Sequence, residues 1–595
     1  MDIENIIAAA NRAQQAEEAG LGNCSRIWHV GLFFDGIHRN IDQDAPEQCL
    51  SNVARLFRAF PEQKQDTPQN THNKFYLSGI GTPFNEELAE KIHTIMDGAQ
   101  NSVLDDLKDQ PKEMAKDAGK ELLKGSNWWE ILKDSGKKLI NPTEWKKLAG
   151  DTAKNAVKKV SIEATPWLRD NPVIADMLVT GVDTRINSAK VRFERFFERA
   201  KVNSPVPIKL ISISFFGYDL GATLARKFID TLLNDIFERQ DDKYYYQNIP
   251  IEIIFTGLLD CARHTPASSN NGLDWFVSAF GGPVRGVSVL LGDKSIDQES
   301  ALPDTVKNAL HLVAAHENRP WRSLYCLGGN NNKHQEELLP GCAEDVGGGL
   351  KPNEQKPSAE LCRVALHRMY RAATMAGVPF PDLQTLDQTD TDVAAYFVMQ
   401  DNVHYKSVAQ WTKIYQHAVP FKAVSIGAQN RHLDSYIEWL GRQYYQYRSE
   451  CMKYEKQRGD VLVSAEASSG LVGITSQARE QAGQFQKELD TLQKKWGWLE
   501  DVHDVALGMK NSMEINPNDK RLQIVPDVYG PALNRAKRFL GYAQAAYQSL
   551  PQPLPYDTAP PEMYAWFVHD VQTVERGARI SQDFLVIRSM EKPEA

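Results

Sequence analysis

The chain has 595 residues, 42% of them hydrophobic and 24% charged, with a net charge of −9. That length exceeds a typical domain several-fold and leaves room for a large core plus appended regions. The composition is that of a folded globular protein, and the acidic balance, with a pI near 5.9, argues against a nucleic-acid partner. Seven cysteines (Cys24, Cys49, Cys261, Cys326, Cys342, Cys362, Cys451) form no C-x-x-C pair. They read as reduced thiols of a protein made in the cytoplasm, not as a disulfide framework.

In chain order, the first twenty residues are polar and of mixed charge, without the basic start and apolar stretch of a secretory signal. No uncharged apolar run reaches the roughly 18 residues of a membrane-spanning helix. Residues 26–36 (R-I-W-H-V-G-L-F-F-D-G) predict a buried strand ending at Asp35-Gly36. Residues 51–60 predict a helix capped by Ser51 or Asn52. A second strand follows at 74–82, with further apolar runs at 206–216 and 250–259. Strands separated by helical stretches predict a mainly parallel α/β sheet.

Between the second strand and the third apolar run lies a long insertion, about residues 84–203, with Lys, Ala, Leu and Trp at helical spacing. From Lys112 to Lys159 it carries 12 Lys against 7 Asp and Glu, and it holds Trp128, Trp129, Trp145 and Trp167. A helical cap on the sheet is the plainer reading of this segment. A basic, Trp-bearing amphipathic surface also suits an anionic phospholipid membrane. Residues 351–595 read as mostly helical, with a stretch from Ala478 to Leu499 suited to a long hairpin arm. The expected division is therefore a core over 1–350, containing the insertion, and a helical region over 351–595.

The chemistry-bearing stretch is S212-I-S-F-F-G-Y-D-L-G-A-T-L-A-R226. An apolar strand runs into a glycine-bracketed turn and then a helix, the sequence form of a nucleophile elbow. Its apex is Asp219, where G-x-S-x-G would place serine. Gly217 and Gly221 permit the turn and close helix–strand packing, while Asp35, Gly36, Gly217, Tyr218 and Leu220 are the expected substrate-facing residues.

Seven motifs then align in order: F34-D-G-I-H-R-N40, S51-N-V-A-R-L56, Y76-L-S-G-I-G-T82, G217-Y-D-L-G-A222, G257-L-L-D260, H311-L-V-A-A-H-E-N-R319 and P-G-C-A-E-D-V-G-G-G over 340–349. Together they resemble the α/β-hydrolase domain of type VI secretion lipase effectors, which show F-D-G-T-x-N-N, T-N-V, G-x-G-T, G-F-S-R-G-A, G-x-W-D, H-A-L-A-x-D-E-x-R and P-G-x-H-x-D-V-G-G-G. The resemblance covers about residues 27–350. It implies an α/β-hydrolase-like, mainly parallel sheet with a helical insertion and a helical C-terminal region. It further implies an antibacterial phospholipase-like protein needing no cofactor, delivered into a target cell by the secretion system. A secretion spike protein and a cognate immunity protein would be its partners.

The family triad of serine, aspartate and histidine falls by position on Asp219, Asp260 and Ala343. Only the acid is retained, and the elbow arginine is replaced by Leu220. A serine hydrolase needs a hydroxyl whose proton passes to a histidine, so the expectation is a non-hydrolytic toxin or adaptor that binds a membrane lipid or a protein. The alternative is an active hydrolase, either ester-cleaving or built on an aspartate nucleophile. G-Y-D-L-G resembles the aspartate elbows of epoxide hydrolases and haloalkane dehalogenases, which still require a histidine; His264, His316 and His334 are the candidates. A divalent cation among Asp35, Asp219, Asp260, Glu344 and Asp345 is a further possibility, set against the simpler roles of Asp35 ending a strand and Asp345 capping a turn. His311, Glu317 and Arg319 are expected on one helical segment as a polar buttress.

Overall fold

The computed structural model describes residues 25–84, 181–263, 300–319, 322–469, 476–515, 526–544, 559–570 and 582–593. The first strand, β1 (Arg26–Phe34), is buried along its whole length. Its even-numbered side chains Trp28, Val30, Leu32 and Phe34 enter one core, while Phe33 enters another on the opposite face. Period-2 alternation with both faces apolar is what a strand covered by helices on two sides requires.

Helix α1 (Asn52–Ala59) follows, with the Ser51 hydroxyl accepting from the Ala54 N–H at its start. Then come β2 (Asn70–Leu77), α2 (Val182–Val202), β3 (Ile208–Tyr218) and α3 (Leu220–Thr231). Helix α2 is the described end of the long insertion; its Phe193 and Phe197 pack on Trp28 with ring centroids 5.3 and 5.4 Å away. The basic Trp-bearing part of the insertion lies outside the described residues. A small hairpin, β4 (Glu238–Gln240) and β5 (Lys243–Tyr246), leads antiparallel into β6 (Ile249–Leu259). Short β7 (Ala262–Arg263) precedes β8 (Ala309–Ala314), β9 (Ser323–Tyr325) and β10 (His334–Leu339).

The main sheet has eight strands, with the order β10-β8-β6-β3-β1-β2 along its path. Every pairing along that path is parallel. The chain thus forms a mainly parallel α/β sheet followed by a helical C-terminal region. The path runs from β1 to β2 on one side and then crosses to β3 on the other, so the topological switch lies between β1 and β3. In open parallel sheets the crevice at such a point, outside the carboxyl ends of the strands, is where ligands bind. Asp35, Asp219 and Asp260 all stand just past those ends.

One departure concerns 309–319. The segment carrying His311 is strand β8, fully buried, and Glu317 and Arg319 lie in the loop after it rather than on a helix. Five apolar residues and one histidine are too short a run for periodicity to separate a buried strand from a helix.

Beyond β10, helix α4 (Ala343–Gly347) precedes α5 (Leu361–Met375), whose Leu366, Met369 and Tyr370 cover the sheet face bearing Phe33 and Phe216. Helices α6 (Val408–Ala418), α7 (Ile426–Ser469), α8 (Ser476–Trp496), α9 (Trp498–Ile515), α10 (Pro526–Gln544) and α11 (Pro561–Trp566) follow. Most of them share a second core around Trp411, Trp439, Leu499, Phe539 and Tyr564. Helices α7 and α8 run antiparallel: Arg458 donates to Gln486 at 2.7 Å, and Tyr447 bonds Gln493 further along. This matches the expected hairpin. The chain then returns to the strand ends, where β11 (Met590–Glu591) pairs parallel with β9, itself antiparallel to β7. Among the described residues no helix is long and apolar enough to cross a membrane, and Cys49, Cys261, Cys326, Cys342, Cys362 and Cys451 are all free and buried.

Candidate functional site: a charged chamber behind the elbow

The turn at Asp219 has the backbone of an elbow. Asp219 sits at φ 54° and ψ −126°, immediately before the first residue of α3. A non-glycine residue there stores of order 1–3 kcal/mol of strain, which the surroundings must hold. They do so through the backbone: the Asp219 N–H donates to the Leu259 carbonyl at 2.9 Å, and its own carbonyl accepts from the Ala222 and Ala262 N–H groups at 3.1 and 3.3 Å. The glycines have a steric purpose. A Cβ on Gly221 would lie 2.2 Å from the Asp35 carbonyl, and one on Gly217 2.4 Å from Ala222 Cα.

The expected substrate-facing residues do come together around this turn, yet they pack against one another. The Tyr218 ring fills the gap between Gly36 and Gly347, where a Cβ would come within 2.6 and 2.0 Å of it. Leu220 is a core residue. Asp35 is buried and accepts three hydrogen bonds: from the Tyr76 hydroxyl at 2.5 Å, the Ser51 hydroxyl at 2.7 Å and the Gly36 N–H at 2.8 Å. Burial nonetheless outweighs those donors and pushes its pKa up to about 6.

Asp260 is held by an arginine. It is fully buried, with a positive φ of 46°. The Arg588 guanidinium donates to both carboxylate oxygens, from Nη1 to Oδ2 at 2.9 Å and from Nη2 to Oδ1, and the Ala314 N–H adds a bond to Oδ1 at 2.9 Å. Burial, the largest single influence, lowers the Arg588 pKa, but the Asp260 charge and hydrogen bonds together with the Glu317 charge outweigh it and leave it raised. This is the bidentate fork-to-carboxylate pairing that suits arginine and not histidine.

Asp219 faces a second guanidinium, Arg322, at 4.0 Å. Arg322 also reaches Glu344 at 3.4 Å, and Glu344 shares Arg319 with Glu317, at 2.8 and 2.6 Å respectively. Burial opposes ionisation of Glu317 and Glu344, but Arg319, with Arg322, outweighs it and holds both carboxyls below their usual range. The chamber behind the elbow is thus an ionic network of Asp219, Asp260, Glu317 and Glu344 with Arg319, Arg322 and Arg588. The small side chain of Ala343 stands where the resemblance placed the histidine; it is buried, and its N–H donates to Glu317 at 3.2 Å.

The expected histidines serve elsewhere. His264 lies outside the described residues. His334 bonds the Val306 carbonyl and Asn331. His316 accepts from the Gly341 N–H at its Nδ1, so its Nε2 carries the proton toward the Tyr415 hydroxyl at 3.2 Å. That hydroxyl donates to His432 Nδ1 at 2.8 Å, and His432 Nε2 donates to the Phe421 carbonyl at 2.7 Å. The relay fixes both tautomers as neutral imidazoles, and burial lowers both pKa values, that of His432 to about 4.

The five carboxylates considered for a cation do not converge. Asp35 is held by hydroxyls, Asp260 by Arg588, Glu344 by Arg319, and Asp345 by His569 Nδ1 at 2.6 Å and by the Cys342 N–H. Expected to cap a turn, Asp345 instead lies at the third position of helix α4, where its carboxylate accepts from the Cys342 N–H. Arg322, His569 and Arg588 are not singled out by the sequence. None belongs to a motif, and Arg588 lies 328 positions from the acid it grips.

No protein-family model and no curated protein matches the chain. A crystal structure of an uncharacterised protein from Pseudomonas aeruginosa is similar across it, with a TM-score of 0.56 and 16% identity over 100% of this chain and 83% of that one. At that identity the likeness shows a shared fold. The structure of the Tle1 effector bound to the VgrG spike from the type 6 secretion system also aligns, with a TM-score of 0.27 and 16% identity over 56% of this chain and 52% of that one. A superposition at that level carries no inference.

Proposed function

We propose that this chain is a type VI lipase-effector-like protein whose hydrolase scaffold no longer hydrolyses, and that it acts as a toxin or adaptor by binding a membrane phospholipid surface or a protein partner. The observation that carries the reading is the pairing of Asp260 with Arg588. A triad acid works by orienting an imidazole and stabilising the charge that forms on it. Here both of its oxygens are committed to a guanidinium, which has no proton-accepting site and stays charged. Ala343 supplies no base, and the elbow apex is itself an anion facing Arg322. The ordered motifs and the elbow backbone support the family assignment. Delivery by a secretion spike and neutralisation by an immunity protein follow from that assignment alone.

The retained elbow strain favours one alternative, a hydrolase in which Asp219 attacks carbon. Such an ester must be opened by a His-activated water; both ring nitrogens of His311 and of His316 are engaged elsewhere, and His334 is held through Nε2 by the Val306 carbonyl and Asn331. Single-turnover reaction in heavy-oxygen water separates the two readings. The proposal predicts no label in the peptide containing Asp219, and label there would establish the aspartate as nucleophile. Fluorophosphonate probes should likewise leave the purified protein unlabelled.

A further inference from the structure

Residues 584–591 approach the sheet from the far end of the chain and are fastened by three kinds of contact. Backbone bonds run from the Leu324 N–H to the Ser589 carbonyl at 2.8 Å and from the Cys326 N–H to the Glu591 carbonyl at 2.9 Å. Side chains of the body hold the segment's backbone: Asn318 donates to the Phe584 carbonyl and Arg535 to the Leu585 carbonyl, both at 2.7 Å. Two ion pairs of opposite polarity complete the set, Arg588 on Asp260 and Glu591 on Arg263 at 2.6 Å. The segment therefore brings one cation and one anion to buried groups of the opposite sign.

Arg588 occupies a site of particular shape. Its guanidinium meets the two oxygens of Asp260, and the carbonyls of Ala314 and Arg322 lie at 3.4 and 3.5 Å. These acceptors lie around a planar cation, and the site is closed to water, with Asp260 fully buried and Arg588 1% exposed. An ammonium could satisfy one carboxylate oxygen but would leave the fork geometry unmet.

We propose that Asp260, with the Ala314 and Arg322 carbonyls, is a guanidinium-binding site filled in cis by Arg588, and that filling it fastens residues 584–591 across the strand ends. The inference uses the Asp260–Arg588 pair but does not depend on the absence of hydrolysis. Removing the side chain leaves an uncompensated buried carboxylate, which is costly, and a vacancy of guanidinium shape that the free ion can enter. A ligand that binds only the folded form raises its stability by mass action.

The test uses the full chain carrying Arg588→Ala, melted with low-millimolar guanidinium chloride or with sodium or tetramethylammonium chloride at equal ionic strength. Guanidinium alone should raise the melting temperature of the variant by a few degrees, leave wild type unraised, and lose its effect when Asp260→Asn is added. A folded Arg588→Ala protein with no guanidinium-specific rise overturns the proposal, as does an equal rise in wild type or in the double variant. Should Arg588→Ala not fold, Arg588→Lys retains the charge without the fork. Hydrogen exchange at the Leu324 and Cys326 amides should then quicken by about tenfold or more while β1 stays protected; unchanged protection at those amides would count against the site equally.

Discussion

Two buried groups near the strand ends titrate in opposite senses, and each makes a prediction at the scale of one residue. The Asp35 carboxyl has its pKa raised from 3.8 to about 6, chiefly by burial. The folded state therefore binds this proton more tightly than the unfolded one. The associated stability is fully present below about pH 3.8 and is lost as pH rises through about 6, a swing of about 3 kcal/mol. His432 is the reverse case, lowered from 6.5 to about 4 by burial. Its stability is present above about pH 6.5 and is lost as pH falls through about 4, by a similar amount. The two slopes oppose each other over pH 4–6 and partly cancel. Unfolding by denaturant across that range should show Asp35→Asn losing stability more steeply on acidification than wild type. His432→Gln should instead gain stability on acidification relative to wild type. Parallel profiles for all three proteins would show that neither group carries the linkage. Ser51 is a third residue whose role is doubled, since its hydroxyl caps α1 and also donates to Asp35. Ser51→Ala should cost roughly 1–2 kcal/mol, whereas an exposed cap elsewhere would sit at the low end of that range.

At the scale of elements, the elbow depends on glycine for want of space. At Gly221 the obstacle to a Cβ is the backbone of Asp35 and Phe34, within 2.5 Å, which has no rotamer by which to yield. Gly221→Ala should therefore lower unfolding stability by roughly 2 kcal/mol or more. A Cβ on Gly459 in α7 or on Gly483 in α8 would meet nothing within 4 Å. Alanine at either should stabilise by roughly 0.5–1 kcal/mol through helix propensity. Equal effects at Gly221 and Gly459 would refute the steric account of the turn. The same elbow shows why parts of the fold are legible in the sequence. Apolar runs at 26–36, 206–216 and 250–259 locate β1, β3 and β6, and the glycine pair locates the turn at Asp219, because a buried parallel strand and a tight turn each leave a local signature. Strand β2 lies at Asn70–Leu77, ahead of the expected 74–82, because its first half, N-T-H-N, is polar. Strand β8 reads wrongly as a helix because its run is short and, His311 apart, apolar. The partners of Asp260 are illegible for a different reason: a pairing made by the far end of the chain has no local pattern, and Arg588 in the sequence looks like any surface arginine.

At the scale of the whole molecule, the helical region and the C-terminal segment bear directly on the chamber. The relay from His316 through Tyr415 to His432 joins the loop after β8 to α6 and α7, and Arg588 and His569 bring the end of the chain onto Asp260 and Asp345. Such a chamber is internally neutralised to within one charge among the groups of its network, and breaking one buried pair by removing a single partner typically costs about 3–5 kcal/mol. Asp260→Ala should therefore destabilise the entire chain by that order in denaturant unfolding, although an active-site acid is often removed at little structural cost. The basic Trp-bearing insertion makes its own prediction from sequence: salt-sensitive binding to anionic vesicles, each lysine near the surface contributing about 1 kcal/mol. Sedimentation with anionic and neutral vesicles at low and high salt checks it, and equal or absent binding in every condition would leave a protein partner as the better target. The central claim, a hydrolase scaffold without hydrolysis, is tested most directly by ester and phospholipid turnover of purified wild type against Asp219→Asn. The account predicts that both proteins stay at the same background rate. Turnover by wild type that disappears in a folded Asp219→Asn protein would contradict it.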